Sequence, residues 1–271
     1  MNKMPANTYS IDDLIYLMKR LRDPMTGCPW DLKQNYESIA SHTLEEVYEV
    51  IDAIERDDLE HLSEELGDLL FQIIFYSQLG KEQGRFDFDQ ITSKITEKLL
   101  RRHPHVFPDG TLESVRDTDA AQVGDIKQVW ESLKQQERTE KGEIKVLDDI
   151  PLAMPALSRA TKLQKRASSV GFDWPTTAGV IEKVKEEIDE LEAEKSTGNS
   201  AAIAEELGDL LFSCVNLARH LEVNPETAMR AANAKFKRRF DKVETLAGGV
   251  KVQQLSVSEL ELLWNKVKQS E

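Results

Sequence analysis

The chain has 271 residues and a formal charge of −14 at pH 7, from 35 lysines and arginines against 49 aspartates and glutamates. This acidic balance argues against a nucleic-acid-binding protein, which usually presents a basic face. A composition with 40% hydrophobic and 31% charged residues but only 13 glycines and 9 prolines favours a helical globular protein.

The chain contains no long apolar run, so we expect no transmembrane helix and no membrane partner. The first residues lack the apolar stretch that is typical of a signal peptide. Cys28 and Cys214 form no CxxC pair, and we expect two reduced thiols. Together these features predict a cytoplasmic protein.

Two neighbouring segments in the first half of the chain show helical periodicity. Apolar residues recur at helix spacing at Leu44, Val47, Ile51 and Ile54, and then at Leu62, Leu66, Leu69, Leu70 and Ile73. The polar stretch ERDDLE at Glu55–Glu60 predicts a turn between the two segments. We therefore expect two antiparallel helices that bury these apolar faces.

A basic helix is predicted next, with KLLRR at Lys98–Arg102. We expect it to end there, because Pro104 disfavours helical geometry at His103. Further on lies the block WESLKQQE at Trp130–Glu137. The stretch that follows is polar and then turn-rich, which predicts a domain junction.

The second half of the chain repeats these blocks in the same order. The octapeptide EELGDLLF occurs at Glu64–Phe71 and again at Glu205–Phe212, 141 positions later. The other repeated blocks are KEEIDEL at Lys185–Leu191, KFKRR at Lys235–Arg239 and WNKVKQSE at Trp264–Glu271. Ordered repeats over this length predict an all-α tandem duplication of a helical-bundle domain. We place an N-terminal domain at residues 1–137, a linker at 138–151 and a C-terminal domain at 152–271.

Each copy carries four acids that can meet in one pocket. They are Glu46, Glu49, Glu65 and Asp68 in the first copy, and Glu187, Glu190, Glu206 and Asp209 in the second. Acids spaced by three residues share a helix face, and antiparallel helices bring the two pairs together. The alternative is solvated charge on amphipathic helices. The repeated 19-residue offset between the pairs favours a site.

Two further features favour a site that binds a cation. Gly67 and Gly208 stand between the acids inside a helix, where glycine costs about 1 kcal/mol relative to alanine, and this predicts close approach of a helix or ligand. Converging carboxylates repel one another without a cation, and oxygen ligands select Mg²⁺, with Mn²⁺ as a substitute. A di-iron site would need Glu-x-x-His pairs, which the five histidines do not complete.

Basic pairs supply the complement for a phosphorylated substrate. Lys98 with Arg102, and Lys235 with Arg239, are spaced by four residues, so each pair shares a face that can clamp phosphate oxygens. A solvated basic face is the alternative. The tryptophan that opens the last block of each copy can stack on a base, and helix packing is the alternative for it.

The ordered motifs closely resemble those of the MazG nucleoside triphosphate pyrophosphohydrolases. The resemblance lies in the ExxE, EELGDLLF and KxxxR blocks, with GCPWD at Gly27–Asp31 and RRHPHVF at Arg101–Phe107. It covers nearly the whole chain, including the tandem layout. It implies an all-α homodimer that requires Mg²⁺ and hydrolyses nucleoside triphosphates to monophosphate and pyrophosphate. A broad base specificity and a role in nucleotide-pool housecleaning are also implied.

The resemblance further implies which residues form the site. The metal ligands would be Glu187, Glu190, Glu206 and Asp209. Lys235 and Arg239 would hold the phosphates, and Trp264 would lie near the base.

The two copies differ beside the acids. Lys183 corresponds to His42, and Asn233 corresponds to Thr96, so the C-terminal copy offers an additional cation and more polar groups to a nucleotide such as ATP. We therefore predict that the C-terminal site is the principal catalyst. The N-terminal acids, with their own basic pair, either bind metal and act weakly or serve in dimerisation.

Two other functions stay open at this point. The duplicated acids can be the surface of a non-catalytic helical module whose apolar faces bind a partner. Within the enzyme class, the alternative is hydrolysis restricted to the pyrimidine nucleotides dUTP or dCTP. Pyrophosphate release that EDTA abolishes would distinguish the enzyme from the module.

Overall fold

The computed structural model describes residues 8–115, 145–249 and 251–271. The chain divides into two compact units, Met1–Lys134 and Gln135–Glu271. The described ranges contain nine α-helices and no strand, which confirms the predicted all-α class. The block Trp130–Glu137 and half of the predicted linker lie outside those ranges, so the predicted domain limits stay a prediction.

The described part of the N-terminal unit consists of four α-helices and one 3₁₀ turn. The helices are α1 at Ile11–Leu21, α2 at Tyr36–Glu55, α3 at Leu59–Glu82 and α4 at Phe88–Arg102, and the turn is at Asp31–Lys33. Each helix begins after a residue whose side chain accepts a backbone N–H hydrogen bond, namely Ser10, Asn35, Asp58 and Asp87. Helix α4 ends with His103 as its C-cap, as predicted from Pro104.

The C-terminal unit repeats the paired helices. Its elements are α5 at Ala156–Ser168, α6 at Thr177–Thr197, α7 at Ser200–His220, α8 at Pro225–Leu246, a 3₁₀ turn at Val252–Gln254 and α9 at Val257–Gln269. Helix α2 packs along α3, and α6 packs along α7. Because only a short turn joins each pair, its two helices run antiparallel, as predicted.

The two hairpin turns use the same backbone conformation with different residues. Asp57 has φ of +56° between α2 and α3, and Gly198 has φ of +71° between α6 and α7. Glycine adopts this left-handed conformation without strain, whereas aspartate is one of the few other residues that tolerate it. The chain therefore reverses its direction at equivalent positions in the two helix pairs.

The core of the N-terminal unit lies between α1, α2 and α3. Its fully buried members are Met18, Ile39, Ile74, Phe75 and Leu79. Beside this core the guanidinium of Arg22 forms a two-nitrogen contact with Glu82, and it also donates to the main-chain oxygen of Asp31. The GCPWD loop is thereby held against the end of α3.

None of the described helices combines the length and apolarity that a membrane span requires. Both cysteines are free thiols: Cys28 is half-buried and Cys214 is exposed.

The buried face of the helix pairs differs from the prediction. Leu66 and Ile73 of α3 are 49% and 40% exposed, and Leu44 of α2 is 52% exposed. The residues of α3 that face α2 instead include Glu65 and Gln72, each only 7% exposed. Part of the apolar face of α3 therefore points outward, and part of the apolar face of α7 does the same. The reason is that the surfaces by which the paired helices contact each other also hold the acids.

The prediction that Gly67 and Gly208 mark the close approach of another helix is wrong for the described chain. Apart from its own helix, a Cβ added at either position would meet no atom within 4 Å. By contrast, a Cβ at Gly80 of α3 would lie 2.7 Å from the main-chain oxygen of Phe86. The first two glycines border open space, where approach by a ligand stays a prediction.

A polar cluster ties the loop before α6 to the end of α7. The carboxylate of Asp173 accepts hydrogen bonds from Arg219, from His220 Nε2 at 3.0 Å and from the backbone N–H of Trp174 at 2.9 Å. The bond from Arg219 is the largest of the causes that lower the pKa of Asp173 to about 2. The ionised carboxylate therefore holds the loop GFDWP, Gly171–Pro175, against the end of α7.

We predict that Asp173→Asn lowers the free energy of unfolding at pH 7 by about 1 kcal/mol, a value that allows for screening by solvent. Because the pKa of Asp173 is depressed from 3.8 to about 2 in the folded chain, its contribution is present above pH 4 and is lost as the pH falls toward 2. Urea unfolding at several pH values measures this. Asp241→Asn, which removes only an exposed pair with Lys237, is the control. Equal losses from both variants would contradict the role of Asp173.

Two glycines of the same helix provide the second prediction. Gly67→Ala should raise the free energy of unfolding by about 0.5–1 kcal/mol, because alanine favours the helix and its Cβ has room. Gly80→Ala should lower it, because the Cβ would collide with Phe86. Urea unfolding of the two variants compares them directly. A loss of stability in Gly67→Ala would show that this space is filled in solution.

Candidate active site

Helices α6 and α7 bring three acids of the C-terminal unit together. Carboxylate oxygens of Glu187, Glu190 and Glu206 all lie within 4.8 Å of one another. Glu187 is only 4% exposed, because it faces α7 from the paired surface of α6. We call these three residues the C-terminal cluster.

The fourth predicted acid, Asp209, lies beside this cluster. It is not part of the set within 4.8 Å. Its charge nevertheless acts on Glu206: burial, and then the negative charges of Glu190, Asp209 and Glu187, raise the pKa of Glu206. The raised pKa shows that the site concentrates negative charge and favours a positive partner.

Lys183 supplies one positive charge within the C-terminal cluster. Its Nζ lies 2.9 Å from Glu187, 3.0 Å from Glu186 and 4.0 Å from Glu190. Hydrogen bonds to Glu187 and Glu186 raise the pKa of Lys183, so it is charged at neutral pH. Lys183, which the comparison of the two copies singled out, therefore forms ion pairs with the acids directly.

The N-terminal unit builds a corresponding cluster from α2 and α3. Carboxylate oxygens of Glu46, Glu49 and Glu65 lie within 4.8 Å of one another, and we call these residues the N-terminal cluster. Burial, and then the charges of Asp68 and Glu49, raise the pKa of Glu46. Asp68 thus borders this cluster as Asp209 borders the other.

The positive partner differs between the two clusters. His42, which aligns with Lys183, pairs with the exposed Glu45 at 3.7 Å rather than with a cluster residue. The imidazole of His61 lies instead beside Glu65, with Nε2 3.1 Å from its Oε1. Burial raises the pKa of Glu65 even though His61 opposes that shift.

Two predicted nucleotide-binding residues of α8 form no polar contact with the C-terminal cluster in the described chain. Asn233 and Lys235 are exposed and form no hydrogen bond or ion pair with the part of the chain that the structure describes. In the N-terminal unit, Lys98 is likewise exposed and Arg102 is half-buried. Their binding of phosphate therefore stays a prediction.

Arg239 is held between two residues of the last block. Its Nε and Nη2 lie 2.8 and 2.7 Å from Oε2 of Glu271, and its guanidinium lies 5.9 Å from the ring centre of Trp264. The Trp264 ring also packs against Phe236, with ring centres 5.3 Å apart. Trp264 thus joins α8 to α9, and its stacking on a base stays a prediction. Trp130, its counterpart, lies outside the described ranges.

Three residues that lie beside these sites were not predicted from the sequence, namely His61, Gln72 and Glu271. The first two lie on the same face of α3 as Glu65, at four residues before it and seven after it, so helix periodicity contained their signal. Glu271 closes a repeated block, but its contact with Arg239 spans 32 positions and depends on helix packing.

Chemically, each cluster offers several carboxylate oxygens in a space the size of a cation's coordination sphere. Such oxygen donors suit a hard divalent cation. The exposed acid of each cluster, Glu190 or Glu49, gives the site access to solvent.

A family model for the MazG nucleotide pyrophosphohydrolase domain matches residues 34–107 and 176–244. The nucleoside triphosphate pyrophosphohydrolase of Escherichia coli K12 is 49% identical over 265 residues, which cover 96% of this chain and 98% of that protein. The nucleoside triphosphate pyrophosphohydrolase/pyrophosphatase MazG of Thermotoga maritima is 41% identical over 259 residues, which cover 95% of each chain. The uncharacterized protein YabN of Bacillus subtilis 168 is 40% identical over 258 residues, which cover 94% of this chain and 51% of that protein.

The two matched segments contain the two helix pairs that hold the clusters, which agrees with the predicted tandem duplication. The full-length similarity to two relatives extends beyond these segments. The chain therefore belongs to the MazG family of nucleotide pyrophosphohydrolases and is a hydrolase.

Proposed function

We propose that this hydrolase converts nucleoside triphosphates to nucleoside monophosphates and pyrophosphate, with broad base specificity, in housecleaning of the cytoplasmic nucleotide pool. The names of the two full-length relatives support the reaction. The observation that carries the proposal is the C-terminal cluster, where three carboxylates lie within 4.8 Å. A triphosphate would be repelled by these acids unless a cation joined the two.

The donor set of the C-terminal cluster fits Mg²⁺, which prefers oxygen ligands, with Mn²⁺ as a substitute. Glu187, Glu190, Glu206 and Asp209 are the residues that would hold the ion. When bound, the ion would polarise a phosphoryl group and lower the pKa of a bound water. The raised pKa of Glu206 is consistent with this assignment, because a cation would relieve the repulsion that causes it.

Lys183 orients the acids for this role. By bonding the buried Glu187 at 2.9 Å and approaching Glu190 at 4.0 Å, it holds both carboxylates in one arrangement before substrate binds. Such preorganisation lowers the free-energy cost of assembling the site. We assign Lys183 to nucleotide binding as well, because its charge lies beside the acids that would meet the phosphates.

We assign phosphate binding to Asn233, Lys235 and Arg239. The exposed polar groups of the first two are available to a ligand. Arg239 uses Nε and Nη2 to contact Glu271, so its Nη1 keeps its donors for a phosphate oxygen. Trp264, which lies beside Arg239, is the residue we assign to the base.

We propose further that the chain forms a homodimer. Leu207, Leu211 and Phe212 are 45%, 49% and 43% exposed along α7, the helix that carries Glu206. Apolar side chains exposed in a row are typical of an interface. The same observation favours the second candidate function, a helical module that binds a partner without catalysis.

The N-terminal cluster is proposed as a second, weaker cation site beside its own basic pair, Lys98 and Arg102. We also propose that the functional domains are residues 1–137 and 152–271, joined by residues 138–151. The C-terminal domain is the principal catalyst in this proposal, because its cluster carries Lys183.

We predict that Glu206→Gln lowers kcat for pyrophosphate release by at least about 100-fold, as expected for loss of a group that stabilises charge in the transition state. Glu65→Gln, the equivalent change in the N-terminal cluster, should leave most of the activity. Release of pyrophosphate from a mixture of nucleoside triphosphates with Mg²⁺ measures both variants. A competition assay among the nucleotides then tests the breadth of base specificity.

Glu205→Gln is the matched control, because Glu205 adjoins Glu206 in the chain but is exposed and outside the cluster. Its activity should stay near that of the unchanged chain. Equal losses from Glu206→Gln and Glu65→Gln would contradict the assignment of the principal site. No pyrophosphate release with any divalent ion would favour the helical module.

A further inference from the structure

We propose that the N-terminal cluster binds a first-row transition-metal cation, with His61 and Gln72 as ligands in addition to its three glutamates. This inference rests on the second cation site proposed above and assigns it a chemistry of its own. Oxygen-only ligands favour Mg²⁺, whereas a histidine in the set favours ions from Mn²⁺ to Zn²⁺.

Gln72 provides evidence for a ligand that is independent of the acids. Its side chain lies on the face of α3 that packs against α2 and is only 7% exposed. The amide nitrogen Nε2 donates to Glu46 Oε1 at 3.4 Å, while the amide oxygen Oε1 has no partner in the described chain. A buried oxygen without a donor lowers the stability of the folded chain. Rotation of the amide by 180° would exchange its oxygen and nitrogen: the oxygen would face the cluster, where a cation would bind it, and the nitrogen would give up its bond to Glu46.

His61 stands at the rim of the same cluster. For bonds of about 2.1 Å, two ligands at right angles on one ion are about 3.0 Å apart. Nε2 of His61 and Oε1 of Glu65 are separated by 3.1 Å. The other ring nitrogen, Nδ1, faces Glu64 at 3.7 Å, on the side where histidine ligands commonly have a carboxylate.

The C-terminal cluster lacks both additional ligands. The positions equivalent to His61 and Gln72 in the repeat are Ala202 and Ser213. That cluster instead contains the ammonium group of Lys183. In the described part of the chain, no lysine or arginine forms an ion pair with the acids of the N-terminal cluster. A bound cation would therefore offset negative charge that no lysine or arginine of the described chain pairs with.

The experiment uses the full chain with Glu206→Gln, which removes one of the four carboxylates proposed to hold the C-terminal ion and leaves the N-terminal cluster intact. Electron paramagnetic resonance with added Mn²⁺ and excess Mg²⁺ should show a single bound Mn²⁺. Electron spin-echo modulation should show coupling of that ion to ¹⁴N, which a purely structural histidine would not cause. Neither measurement depends on turnover, so a failure here is distinct from a failure of the proposed hydrolysis.

Adding His61→Ala should abolish the ¹⁴N coupling and weaken Mn²⁺ binding about 10–100-fold, with a much smaller effect on Mg²⁺. Gln72→Leu should weaken Mn²⁺ binding and keep the coupling. His42→Ala is the matched control, because His42 is a nearby histidine of α2 that pairs outside the cluster, and it should change neither quantity.

Three results would overturn the inference: no Mn²⁺ bound to the Glu206→Gln chain, bound Mn²⁺ without ¹⁴N coupling, or equal effects of His61→Ala and His42→Ala. The spin-echo measurement on the chain with its histidines intact decides the matter even if a histidine variant fails to fold.

Discussion

Carboxylates packed between two antiparallel helices need positive charge beside them, because desolvation and mutual repulsion both oppose their ionisation. The pKa values of Glu206, Glu46 and Glu65 are all raised for these reasons. The short hairpin turns hold the acids of one helix beside those of the next, so the repulsion between the carboxylates is built into the fold. The functions proposed for the two clusters depend on how this charge is compensated.

The two units compensate it differently. In the C-terminal cluster a lysine bonds the buried acid, leaving an oxygen-rich site that suits a hard cation and a phosphorylated substrate. In the described part of the N-terminal cluster no lysine bonds the acids, and the imidazole of His61 and the amide nitrogen of Gln72 contact them instead. Duplication followed by substitution at a few positions thus gives one chain two acidic clusters of related geometry with different neighbouring side chains.

Helix periodicity, turn residues and Pro104 predicted the all-α class, the two hairpins and the end of α4, because these depend on local sequence. The convergence of the acids also followed from spacing. Orientation of the helices about their axes did not: Leu66 and Ile73 are exposed where the apolar pattern predicted burial, since a pattern cannot distinguish a core from an interface. The contact between Arg239 and Glu271 depends on packing between distant segments, which spacing alone does not encode.

The most direct test of the account is the position of a bound ion. Crystals of the full chain grown with Mn²⁺ and a non-hydrolysable nucleoside triphosphate allow anomalous diffraction at the manganese edge to locate it. The account predicts a peak bounded by Glu187, Glu190 and Glu206, next to the phosphates of the nucleotide. A nucleotide bound elsewhere, with these three side chains turned away from one another and no peak between them, would contradict it.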